Sequence, residues 1–78
     1  MKTKKQTTGQ ALKRAAIYYV QCNNHFLYYH PTTCAARAEF LEAERAHNGS
    51  ASYLDFDIDR AEEYIVRGVG RASRNVKN

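Results

Sequence analysis

The chain has 78 residues, 44% hydrophobic and 26% charged, with a net charge of +4 and a pI near 9.3. That length leaves room for one domain with one modest core, and the composition excludes wholesale disorder. With no apolar run long enough for a signal segment or a membrane span and only two cysteines, Cys22 and Cys34, the expectation is a cytoplasmic protein with reduced thiols and no membrane partner.

Residues 1–9 are polar and basic without periodicity, and a flexible basic arm is expected there. Residues 10–16 contain Ala11, Leu12, Ala15 and Ala16 and suit an optional short helix, with Thr7 or Thr8 as its cap. Ile17, Tyr18, Tyr19 and Val20 are β-branched or aromatic, and a second such run, Phe26 to Tyr29, follows Asn23 and Asn24. Two Asn residues can both take positive φ, so this pattern predicts a hairpin closed by a type I′ turn and ended by Pro31. Thr32 or Thr33 can then cap a helix over residues 34–47, rich in Ala, Glu, Leu and Arg and closed by Asn48 and Gly49. Its apolar residues form two stripes, Ala36, Phe40, Ala43 and His47 on one and Cys34, Ala38 and Leu41 on the other.

From Ser52 to Ile58 apolar and acidic residues alternate, the period of a strand. Ala61, Tyr64, Ile65, Gly68 and Val69 then recur at helical spacing, with Asp59 and Glu62 as a capping box. The predicted fold is α+β, a small single domain over residues 10–73 in the order (α)ββαβα. A three-stranded, mostly antiparallel sheet, the hairpin plus one strand, packs on two helices, and residues 74–78 form a frayed tail.

No pattern in the chain is a functional signature. Cys22, His25, His30 and Cys34, separated by two, four and three residues, form a set that resembles the spacing of a zinc knuckle. The set departs from that order twice and lacks the Gly of such loops, and the hairpin would put His25 and His30 on opposite faces. No metal and no other cofactor is therefore expected. Asp55, Asp57 and Asp59 do not make a calcium loop, because Arg60 and Val66 occupy the Gly and Glu positions, and they read as a solvated acidic face. His25, His30 and His47 are the groups available for metal-free acid–base cleavage of RNA, and the run His25 to Thr33 resembles a stretch of small basic ribonuclease toxins. The rest of the element order differs from theirs, so a ribonuclease ranks last among the expectations.

Six Tyr against three Phe and no Trp favour half-buried positions and contact surfaces. The leading expectation is a small non-enzymatic protein that acts by protein–protein contact, with Tyr18, Tyr19, Tyr28, Tyr29, Arg67 and Arg71 as anchors. Its size and style are those of phage or mobile-element accessory proteins that inhibit or modulate a host macromolecular complex, and a homodimer is a further expectation. The alternative is DNA or RNA binding through Lys4, Lys5, Lys13, Arg14, Arg67, Arg71 and Arg74 together with the sheet tyrosines.

Overall fold

The computed structural model describes residues 7–49 and 56–70. They form three helices, α1 (Thr8–His25), α2 (Pro31–Asn48) and α3 (Asp57–Arg67), and no strand occurs among the described residues. The fold is all-α, so the expected α+β sheet is overturned.

The correction is clearest in α1. Leu12, Ala16, Tyr19 and Cys22 recur every three or four residues and are all buried, a stripe that runs through the segment expected to be a strand. Burial of that stripe outweighs the β preference of Ile17 to Val20, and Asn23 and Asn24 lie in the last turns of the helix rather than in a hairpin turn. Thr7 is the N-cap. Its hydroxyl accepts from the Gln10 N–H at 3.1 Å while the Gln10 side chain accepts from the Thr7 N–H, a closed capping box.

Helix α2 starts earlier than expected, because Pro31 is its first residue rather than the end of a strand, and a proline N–H is not needed there. His30 is the cap, with Nδ1 accepting from the Thr32 N–H at 3.1 Å. At the other end Gly49 takes φ 89°, a left-handed conformation that favours glycine. Ala36, Phe40 and His47 are buried, so the first of the two stripes faces the core; Glu44 is buried beside them and Ala38 is exposed.

Helix α3 opens at Asp57 with no side-chain cap, so Asp57 and Ile58 are helical rather than part of a strand. The remainder of the expected strand, residues 52–55, lies outside the described residues. Ala61 is fully buried, and Tyr64 and Ile65 pack on the core from the same helix, as their spacing predicts. Ile58, expected in the strand, packs there from the first turn of α3, and Gly68 and Val69 lie beyond the helix end at Arg67.

Glu44 meets Arg60 and Asn48 meets Tyr64, so α2 and α3 run in the same sense. Tyr19 meets Asp57 while Gly9 lies under Val69, so α1 runs against both. The molecule therefore has two ends. One carries the α1–α2 loop and the start of α3; the other, about 27 Å away along α1, carries Thr8, His47 and Gly70.

Candidate functional site

Two polar arrangements tie the helices together, and each uses up the groups that form it. Glu44, only 2% exposed, receives Arg60 through two parallel bonds of 2.8 Å, Nε to Oε2 and Nη2 to Oε1. The Tyr64 hydroxyl donates to the same Oε2 at 2.6 Å and accepts from Asn48 Nδ2 at 3.1 Å. Burial first, and then the bond to Glu44, pushes the Tyr64 hydroxyl up to about 12. Tyr19 is fully buried, stacks on Phe40 at 5.6 Å and donates to Asp57 Oδ1 at 2.7 Å. Its hydroxyl is held well above the usual tyrosine value, by burial and then by that bond. Arg37 stands 3.7 Å from the other Asp57 oxygen. Asp57 is thus engaged by the core rather than part of a solvated acidic face. Among the described residues, no buried side-chain nitrogen or oxygen lacks a partner.

The expected tyrosine anchors separate. Tyr19 belongs to the core, so it is no contact residue in this fold. Tyr18 is half exposed on α1 and, with Ala11, Arg14, Ala15 and Glu39, lines a shallow groove. Tyr28 and Tyr29 sit in the α1–α2 loop with their rings edge to face at 4.9 Å. Tyr28 is braced by Arg37, whose guanidinium lies 5.6 Å from the ring centre. Arg67, at the end of α3, lies 3.6 Å from Glu63. Lys13 and Arg14 are exposed on α1, and Lys4, Lys5, Arg71 and Arg74 lie outside the described residues.

The zinc-knuckle set does not come together. Cys22 is buried, His30 is occupied as a helix cap, and among the described residues no three His, Cys, Asp or Glu side chains are placed to hold a metal ion. His25 and His30 flank the Phe26 ring, at 4.7 and 4.2 Å between centroids, whereas His47 is buried at the opposite end of the molecule. The three histidines thus form no common site.

What the sequence left unassigned is the partner of the loop tyrosines. Leu27 is 79% exposed, Tyr29 82% and Phe56, the residue before α3, 70%. Tyr28, Tyr29, Phe56 and Ile58 together with Asn23 line one open cleft of ≈ 280 Å³, smaller than the pockets that enclose drug-sized molecules. Phe56 was legible only as a strand residue; its place beside the loop depends on α3 lying against the end of α1.

Comparison with models of known families, with curated proteins and with solved structures finds no match, so the geometry alone carries the functional reading. No helix among the described residues is long and apolar enough to cross a membrane.

Proposed function

We propose that this chain is a small non-enzymatic binding protein that docks on a protein partner through the end formed by Leu27, Tyr28, Tyr29 and Phe56. The observation that supports it is the exposure of three large apolar side chains at that end. Large aromatic side chains around a shallow cleft are the composition of interface hot spots, and ordinary surfaces scatter such residues singly. Tyr28 and Tyr29 brace each other and Arg37 braces Tyr28, so these rings lose little freedom on binding. Tyr18, Tyr19 and Arg67, the other described anchors expected from the sequence, do not line this cleft.

The test is capture from lysate of the native source, with and without nuclease, using the wild type and the double variant Tyr29→Ser/Phe56→Ser. A discrete protein that survives nuclease with the wild type and is lost with the variant is the expected result. A partner retained equally by the variant, or loss of every partner on nuclease treatment, would overturn the reading.

A further inference from the structure

Three segments far apart in sequence converge at the end of the molecule opposite the aromatic loop. His47, buried in the last turn of α2, places Nδ1 2.8 Å from Thr8 Oγ1 and Nε2 2.9 Å from the Gly70 carbonyl oxygen. Because a carbonyl only accepts, Nε2 carries the proton, and in the neutral ring Nδ1 accepts from the Thr8 hydroxyl. The ring is thus held in the tautomer that a general base needs. It can come this close because residue 9 is glycine: a Cβ there would stand 3.3 Å from His47 Cε1 and 3.2 Å from Val69 Cγ2. Thr8 itself is exposed.

A hydroxyl bonded to an imidazole that a third group orients is the arrangement of an activated nucleophile. Its surroundings match the charges that an attack creates. Thr8 is the first residue of α1, so its own N–H and that of Gly9 have no acceptor within the helix, and the Thr7 cap serves the Gln10 N–H instead. Both point out of the positive end of α1, where the oxygen of an attacked carbonyl gains negative charge. His47 stands at the negative end of α2, where positive charge develops as the ring takes the proton.

We infer that Thr8 is an acyl-acceptor site, esterified on Oγ1 by activated acyl donors of the thioester or aryl-ester class. In the first half of the step Oγ1 bonds to the carbonyl carbon while the hydroxyl proton passes to His47 Nδ1. The tetrahedral intermediate then collapses. The bond from carbon to the leaving sulfur or oxygen breaks with its electron pair, and the imidazolium gives its proton to that group. Gly70 acts only by holding the ring. Two neutral N–H donors suit the single oxyanion of acyl transfer, whereas a phosphoryl group calls for a cationic clamp on its several oxygens. The product is a chain that carries one acyl group, and the aromatic docking end takes no part.

The test incubates the full chain near neutral pH with p-nitrophenyl acetate, and in parallel with an acetyl thioester, and maps the adducts by peptide mass spectrometry. Removal by hydroxylamine separates esters from amides formed on lysine. An ester on Thr8 is expected, with Thr7, also exposed and engaged as the cap, as the internal reference. His47→Gln, whose amide can still donate to Gly70, should slow labelling of Thr8 by about a hundredfold or more. Thr8→Val should abolish it and Thr8→Ser should keep it. If His47→Gln does not fold, as judged by circular dichroism, the wild type in urea makes the comparison, and unfolding should bring Thr8 down to the rate of Thr7. Tyr29→Ser/Phe56→Ser should label at the wild-type rate, so this inference and the docking reading fail separately. Labelling of Thr8 no faster than Thr7, undiminished in folded His47→Gln or in urea, or dependent on the aromatic end would overturn the inference.

Discussion

The region around Glu44 and the loop end around Tyr29 are built from similar residues and behave oppositely. At the first, Tyr64 has its hydroxyl bonded on both sides, Arg60 is spent on a carboxylate, and Phe40 packs beneath, its ring centre 6.0 Å from the guanidinium carbon. At the second, Tyr29 and Phe56 stand in solvent with no packed partner comparable to the core. A tyrosine count therefore says nothing about contact surfaces until each hydroxyl has been accounted for. Where it is saturated, the ring is a strut; where it is open, the ring is available to a partner.

Substitutions can break this contrast, and Glu44→Ala should do so most severely. It leaves the Arg60 guanidinium without its carboxylate in a partly buried site, and a loss of about 3–5 kcal/mol is expected in urea denaturation. Replacing Glu44 by Leu and Arg60 by Met together should recover most of that loss, because the desolvation cost of both charges disappears. If the double variant were no more stable than Glu44→Ala, the pair would be holding the helices in place rather than merely satisfying itself.

Tyr19→Phe is the next step down. It keeps the stacking on Phe40 and removes the bond to Asp57, so about 1–2 kcal/mol should be lost, with Asp57 left to Arg37. At the open end, Tyr29→Ser and Phe56→Ser should each change stability by no more than about 0.5 kcal/mol, while partner capture fails. A large stability loss there would show that the loop end is structural after all.

The smallest effect near neutrality is the most specific. Because folding raises the Tyr64 hydroxyl from its ordinary 10 to about 12, the unfolded chain gives up that proton first. The stabilisation is complete below about pH 10 and is lost as pH rises through the folded value, so unfolding should become easier between about pH 10 and 12. Tyr19, shifted in the same direction, adds to that fall. Denaturation midpoints followed from pH 8 to 12 should show a shallower decline in Tyr64→Phe than in the wild type. Parallel declines would place the alkaline sensitivity elsewhere.

Parts of this molecule were readable in advance. A cap at Thr7 or Thr8, Gly49 as a stop and the wealth of Ala, Glu and Leu in α2 are local signals, set within one turn of the chain. The stripe of Ala61, Tyr64 and Ile65 was equally plain, since a single helix face reports its own burial, although Gly68 and Val69, expected to continue it, lie beyond the end of α3. Harder to see was α1, where two readings of the same residues competed. Ile17 to Val20 favour a strand on intrinsic preference, and Leu12, Ala16, Tyr19 and Cys22 favour a helix only when another surface is present to cover them. That surface is supplied by α2 and α3, and their docking on α1 is not a local property.

The sites divide along the same line. Sequence alone determined that positive charge gathers at the two termini, that the chain is rich in tyrosine, and where α2 and most of α3 lie. Only the tertiary structure decided which tyrosines are struts and which stand open, that Glu44 is a core residue, that Phe56 joins Tyr28 and Tyr29, and that Thr8 and Gly70 meet at His47. The reason is range. Caps, stops and helix faces are settled by neighbours within about four residues, whereas burial of a charge or the pairing of two distant segments is settled by helices far apart in the chain.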